Sequence, residues 1–424
     1  MVLPLEIRVL KLHTHDYKIL TVDLSSQNPR NSFTATSKIK MSDEIPFHVQ
    51  AEIIKKLPIV SLLQFRSVSK AWKSLIESPN FIAAHSVTQP PHLLLRYEDP
   101  VETTENYVSF VDDDTFPQQR SVHTLPQFAK QLLDSTIIGS SHGLLCVRGY
   151  SGPNLETETI FLWNPSIRKS ISVAAPNKSN PDHETDIGFG VCPLTHDPKI
   201  VEIAQFSKTN YHCEAKVLTL SSGKWRKLSN NLPSKPFRVL WPQVVTGSFI
   251  YWCAFDPMTR ETGLPNHNLI MSFDLTNENF GEIDFPENLT RHSPIQVCIS
   301  KLKESLVILE YDSILKYACS VWMMENGVEK AFTKLFTVQA PYGSRTITAL
   351  GFRNSGQIIL EVEDGHQYIF EQSELLAYEP NSERFNYLEI YGTTETFVVN
   401  SYMETLLLVG QSDCNIVVED DDQE

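Results

Sequence analysis

Leu162-Trp163-Asn164-Pro165-Ser166-Ile167-Arg168-Lys169-Ser170-Ile171 reads as a strand, a tight turn and a second strand. Asn and Pro favour turns for different reasons: an Asn side chain bonds nearby backbone, and proline fixes φ near the turn value. The large apolar residues on either side are types that fill a half-buried pleated surface. The arrangement returns at residues 110–116 around Asp112-Asp113-Asp114, at 218–225 around Ser221-Ser222-Gly223, and at 273–280 around Asn277. Two further copies lie at residues 322–332 around Asn326-Gly327 and at 377–385 around Pro380-Asn381-Ser382. The turn centres, 113, 166, 222, 277, 326 and 381, are 49 to 56 residues apart. That spacing is about the 50-residue period of a kelch-type propeller blade.

A second signal precedes each turn. It is an apolar strand: Leu93-Leu94-Leu95, Gly143-Leu144-Leu145-Cys146-Val147, Gly247 to Trp252, Leu306-Val307-Ile308-Leu309 and Gln357-Ile358-Ile359-Leu360, with the weaker Ile200-Val201-Glu202-Ile203 in the third unit. Two signals in fixed order, six times over, predict an all-β domain, a closed kelch-like β-propeller of about six degenerate blades. A pair of β-sandwiches is the alternative. No Gly-Gly doublet occurs, so these are not standard kelch repeats. Leu93-Leu94-Leu95 and residues 405–409 fit no interior unit, and are predicted to share one blade and so remove the open sheet edge.

The chain has 424 residues, enough for two or three domains and a large core without staples. With 36 Lys and Arg against 51 Asp and Glu, its net charge is −15. That balance argues against nucleic-acid and anionic-membrane partners, which need a basic surface. Seven dispersed cysteines form no Cys-x-x-Cys pair and read as reduced intracellular thiols. Glu6, Arg8 and Lys11 interrupt any signal-peptide core, and the uncharged stretch 239–255 holds Pro242 and Gly247 and reads as strands. The expectation is a soluble cytoplasmic or nuclear protein.

Between residues 41 and 85 the periodicity is helical. Ile45, Val49, Ile53 and Leu57 recur at every fourth position, with Pro46 where a first turn tolerates it and Pro58 ending the run. Leu62, Leu63 and Phe65 make a second short turn. Ser67 offers a cap for a third helix carrying Val68, Ala71, Trp72, Leu75 and Ile76, which Ser78-Pro79-Asn80 stops. A unit of about 45 residues cannot turn so many large side chains inward, so part of this face must meet a neighbour or a partner. Residues 1–40 precede it as an extension without a motif, and residues 411–424 form an acidic tail.

Ile45-Pro46, Ile53-Ile54-Lys55-Lys56-Leu57-Pro58, Ser61-Leu62-Leu63-Gln64-Phe65-Arg66, Val68-Ser69-Lys70-Ala71-Trp72 and Ser78-Pro79-Asn80-Phe81-Ile82 closely resemble an F-box. His48-Val49-Gln50 and Ser69 depart from the usual pattern. Ile138-Gly139-Ser140-Ser141-His142-Gly143-Leu144-Leu145-Cys146, Leu162-Trp163-Asn164-Pro165-Ser166, Gly188-Phe189-Gly190 and Leu350-Gly351-Phe352 look like the plant F-box-associated domain over about residues 90–410. The resemblance implies a three-helix module at 41–85 that docks a Skp-type adaptor of a cullin–RING ubiquitin ligase. Ile45, Pro46, Val49, Ile53, Leu57, Pro58, Leu62, Phe65, Val68 and Trp72 are its candidate adaptor-binding residues. It implies a non-catalytic substrate receptor without cofactors, whose propeller holds an unidentified target protein. The loops with least pattern, near residues 100–105, 177–186 and 258–268, are where target choice is expected.

Two rival functions come from other classes. Gly139-Ser140-Ser141-His142-Gly143 matches G-x-S-x-G, so Ser141 would be the nucleophile of a propeller hydrolase. That elbow needs a helix after the serine, and Leu144 onward continues as a strand, so a hairpin turn is the preferred reading. The other rival is a scaffold that binds partners but no adaptor. His13-Thr14-His15, Cys192 with His196, and His212-Cys213 belong to no convergent metal-ligand set.

Overall fold

The computed structural model describes residues 6–12, 16–22, 46–151, 157–174, 183–206, 212–228, 237–256, 267–325, 331–364 and 372–411. The chain divides into two compact units, Met1–Leu62 and Leu63–Glu424.

In the first unit, β1 (Glu6–Leu12) and β2 (Asp16–Val22) pair antiparallel, with Glu6 opposite Val22. Helix α1 (Phe47–Ile54) follows Pro46, whose missing N–H is no loss at a helix start. Its buried side is Gln50 and Ile54. It ends before Pro58, and α2 (Ile59–Phe65) begins directly after that proline.

The second unit opens with the end of α2. Helix α3 (Lys70–Ile76) is capped by Ser69, whose side chain accepts from the Trp72 amide at 3.1 Å. The cap predicted at Ser67 is two residues early; the Ser67 hydroxyl donates to the Gln64 carbonyl instead. Ser78-Pro79-Asn80 ends α3 as predicted, but it also starts α4 (Pro79–Ser86), with Ser78 Oγ accepting from the Phe81 amide. The predicted three helices are therefore four among the described residues. A proline after a serine begins a helix as readily as it stops one.

Six four-stranded antiparallel sheets follow among the described residues. Blade 1 holds β3 (Pro91–Glu98), β4 (Glu105–Val111) and β5 (Arg120–His123). Blade 2 is β6 (Leu133–Ser141), β7 (Leu144–Ser151), β8 (Thr157–Asn164) and β9 (Lys169–Ala174). Blade 3 is β10 (His183–Val191), β11 (Pro198–Phe206), β12 (His212–Thr219) and β13 (Lys224–Leu228). Blade 4 is β14 (Arg238–Thr246), β15 (Phe249–Phe255), β16 (Asn268–Asp274) and β17 (Phe280–Asp284). Blade 5 is β18 (Val297–Leu302), β19 (Ser305–Tyr311), β20 (Ala318–Met324) and β21 (Phe332–Gln339). Blade 6 is β22 (Ser344–Phe352), β23 (Ile358–Asp364), β24 (Gln372–Glu379) and β25 (Arg384–Thr393). In five blades the predicted turn joins the third strand to the fourth, and in all six the predicted apolar run is the second strand. Asn326-Gly327, the fifth turn, lies outside the described residues.

β26 (Val398–Met403) pairs with β3, Val398 opposite Arg96 and Met403 opposite Pro91, and so supplies the innermost strand of blade 1. The ring closes from the C-terminal side as expected, but the closing strand is not residues 405–409. That segment follows β26 as an irregular turn, with Leu406, Leu408 and Val409 buried and Leu408 at φ +71°. Its apolar run fills a gap instead of pairing: Leu408 packs with Leu144, Leu162 and Phe189 between blades 2 and 3.

Apolar clusters bind each blade to the next. Leu94 and Tyr107 of blade 1 meet Leu145, Phe161 and Trp163 of blade 2, and Leu93 and Leu95 meet Ile359, Leu375 and Phe397 across the blade 6 to blade 1 junction. Buried Arg353 reinforces that junction, donating from Nε to Asp112 at 2.8 Å and from its terminal nitrogen to the Asp113 carbonyl. Gly188 lies against the Trp252 ring of blade 4, where any Cβ would overlap it.

The Leu162 to Ser166 motif explains itself here. Asn164 is fully buried, its oxygen accepting from the Ser166 amide while its NH₂ donates to the carbonyls of Thr405 (2.9 Å) and Leu407 (2.8 Å). Ser166 Oγ meets the Tyr402 hydroxyl at 2.6 Å. On the other side of this segment Ser86 of α4 reaches the Thr405 hydroxyl at 3.3 Å, and Gly410 lies beside Glu77. The C-terminal segment thus ties blade 2 to helices α3 and α4.

Strand alternation gives the propeller two unlike faces. Turns after the first and third strands open on one, here the turn face, which α4 adjoins as it leads into β3. Connections from second to third strand, and from blade to blade, open on the opposite loop face.

Candidate functional site

Two surfaces stand out. The first belongs to the helices. Phe47 (47 %), Val49 (38 %) and Ile53 (39 %) on α1 and Val60 (66 %) on α2 are exposed, as are Pro46 and Pro58. Val49 and Ile53 are one helical turn apart and share a face. Of the other candidate residues, Leu57, Val68 and Trp72 are half-buried, whereas Leu62 and Phe65 are buried. The Phe65 and Trp72 rings pack at 4.8 Å, so both serve the α2–α3 contact. Ile45 lies outside the described residues. Phe47 and Val60 were missed by the helical period because each sits beside a proline-led helix start rather than on the Val49–Ile53 repeat.

The second surface is a central cavity of about 1250 Å³, lined by the innermost strands β6, β14, β18, β22 and β26. β10 stands back from it. Gln243 of β14 reaches across and satisfies both the amide (2.9 Å) and the carbonyl (2.6 Å) of Phe189. Trp241, half exposed, donates from its ring nitrogen to the Ile137 carbonyl at 3.1 Å. At the loop-face mouth are Ile295, Ile314, Lys316, Glu361 and Glu395. Glu361 accepts from the Glu395 amide at 2.7 Å, and burial raises its pKa. At the turn-face mouth are His142, Lys301, Lys303 and Glu304.

Two family models match the chain. Residues 43–83 match the F-box domain, and residues 100–412 match the F-box associated beta propeller domain, which is more than half of the sequence. The chain belongs to the F-box associated beta propeller family. Relatives in Arabidopsis thaliana include F-box protein CPR1, 25% identical over 402 residues covering 88% of this chain and 90% of that one. A second Arabidopsis F-box protein is 23% identical over 84% of this chain and 89% of its own length. Among solved structures, an acylaminoacyl peptidase from Pyrococcus horikoshii is 13% identical, with a TM-score of 0.37 over 62% of this chain and 40% of that one.

In this F-box associated propeller the G-x-S-x-G stretch is a hairpin. β6 ends at Ser141, β7 begins at Leu144, and His142 and Gly143 occupy the turn at φ +49° and +80°. Those two left-handed residues match the twist of the flanking strands. Ser141 is buried, its hydroxyl accepting from the Val191 amide at 3.0 Å and lying 3.1 Å from His142 Nδ1. Its oxygen holds blade 3 to blade 2. Among the described residues no group of three or more His, Cys, Asp or Glu is placed to hold a metal, and no helix is long and apolar enough to cross a membrane. His13 and His15 lie outside the described residues. Six of the seven cysteines are described, and those six are free thiols. The poorly patterned residues 100–105 join β3 to β4 on the loop face, and the described strand ends flanking 177–182 and 258–266 open on the same face.

Proposed function

We propose that this protein is the substrate-recognition subunit of a Skp–cullin–F-box ubiquitin ligase, acting in the cytoplasm or nucleus and contributing no catalytic group. Residues 41–85 dock a Skp-type adaptor, and through it the cullin–RING ligase, while the propeller over about residues 90–410 holds the target protein. The observation that carries this reading is the exposed Val49–Ile53 face of α1, with Phe47 and Val60 also exposed, within the segment matching the F-box domain. Several large apolar side chains left exposed within one short segment mark a protein contact. The mechanism is proximity: a target lysine is held near a ubiquitin-charged enzyme and its effective concentration rises.

The test is co-purification of the full chain with a Skp-type adaptor and cullin, alongside labelling by a fluorophosphonate. Adaptor and cullin should be retained, Ser141 should remain unlabelled, and Ser141→Ala should not alter adaptor binding. Failure to retain the adaptor overturns the receptor reading, and stoichiometric labelling at Ser141 restores the hydrolase.

A further inference from the structure

The two channel mouths differ in chemistry, and the loop-face mouth is bordered by an exposed apolar ledge. Ile314 (73 %), Leu315 (56 %) and Tyr317 (45 %) lie in the loop between β19 and β20, and Tyr342 is fully exposed between β21 and β22. These loops are joined: the Ala340 amide donates to the Tyr317 carbonyl at 2.8 Å and the Ile347 amide to the Lys316 carbonyl at 3.0 Å. The ledge is therefore one continuous, backbone-fixed surface rather than scattered side chains. Ile314 also lines the cavity, where Ile295 (61 %) and Trp241 (52 %) extend the apolar surface inward. Rigid aromatic and branched side chains around a concavity are the composition of an interface centre.

Charge selects the partner. Asp312 stands on the ledge loop, and Glu361 and Glu395 flank the mouth. Lys316, with its amine by Thr348 and the Tyr311 ring, offsets Glu361, which burial also pushes toward its neutral form, so exposed Glu395 and Asp312 carry the negative charge here. Glu395 and Asp312 at this mouth favour a cationic neighbour, and the net charge of −15 over the whole chain has the same sign.

We propose that the blade 5 ledge and the loop-face mouth are the target-docking surface, and that they take a peptide segment presenting an apolar or aromatic residue beside lysine or arginine. This rests on the receptor reading above and names the chemistry of its target. The apolar residue enters the mouth between Ile314, Ile295 and Trp241, and the cationic neighbour faces Glu395 and Asp312.

The test uses the full chain and three short fluorescent peptides, one of alternating leucine and lysine, one of leucine and glutamate, and one of serine and lysine. The leucine–lysine peptide should bind at least about tenfold more tightly than either other peptide, and more weakly as salt rises. Ile314→Ser with Tyr342→Ser, both exposed in the native fold, should weaken it by about tenfold or more, and Glu395→Gln by about threefold or more. Asp114→Asn with Glu383→Gln, on the turn face, should leave it unchanged. Equal binding of the three peptides, no leucine–lysine binding at about 1 mM, indifference to the ledge variants, or an equal effect from the turn-face pair would each overturn the assignment. Adaptor co-purification from the same preparations separates the two readings: peptide failure with adaptor retained removes only this docking surface, whereas loss of the adaptor removes the receptor reading itself.

Discussion

Asn164 has both amide donors and its oxygen engaged in a site without water access, and each bond holds a different part of the closure. Asn164→Ala would orphan backbone groups on Thr405, Leu407 and Ser166 at about 1–3 kcal/mol for each that stays dry. We expect a loss of about 2–4 kcal/mol, read as a lower urea midpoint with an unchanged slope. Asn164→Asp should recover little, since a carboxylate cannot donate to the two carbonyls; an unchanged midpoint would show that the clamp is unimportant. A second residue sets a pH dependence. His123 sits 2.7 Å from Ser109 Oγ, and burial, aided by repulsion from His92 and Arg168, pushes its pKa down to about 4. An unfolded histidine titrates near 6.5, so between those values the unfolded chain binds more protons and stability falls as pH drops. Burial lowers His142 as well, with the same sign. His123→Gln should remove roughly 1–2 kcal/mol of the difference in unfolding free energy between about pH 7.5 and pH 5. An identical pH profile for both proteins would contradict this.

At the scale of elements, the second strands and the Asn-Pro type turns were legible in the sequence, and the innermost strands were not. β11, β19 and β23 are packed on both sides and therefore read as apolar runs. β26 lines the cavity on one side, so Val398-Val399-Asn400-Ser401-Tyr402-Met403 carries polar residues and gives no such run. Leu406-Leu407-Leu408-Val409 carried the stronger apolar signal but is an irregular plug. Periodicity measures burial rather than pairing, and here the two part company. Ser78 hid the fourth helix in a similar way, because one residue serves as both stop and cap. Deletion from Thr393 onward would remove β26, leave β3 as an open edge, and strip out Leu406, Leu408 and Val409. Each buried side chain is worth about 1.5–3 kcal/mol, which together approaches the net stability of a typical domain. The truncated chain should aggregate or melt far lower, whereas deletion from Glu419 onward should change little. A melting temperature unaffected by the longer deletion would contradict the closed ring.

For the whole molecule, the sequence carried the order of a helical segment followed by a propeller, because both rest on local periodicity. It also carried Val49 and Ile53 of the candidate adaptor surface, since an exposed stripe keeps the helical repeat of a buried one. It could not separate these from Leu62 and Phe65, which have the same composition but are buried, nor mark Ile314 and Tyr342, which belong to loops without a period. Function at this scale depends on apolar residues left exposed in the free chain, and that makes the helical surface separable from folding. The decisive measurement is the affinity of a Skp-type adaptor for the full chain and for a Val49→Ser, Ile53→Ser variant, taken together with their melting temperatures. Because both side chains are already more than a third exposed, the variant should melt within about 2 °C of the original protein. Its adaptor affinity should fall by about 2–4 kcal/mol, roughly 30- to 1,000-fold. An original chain that does not bind the adaptor, or a variant that binds it equally well, would contradict the receptor account.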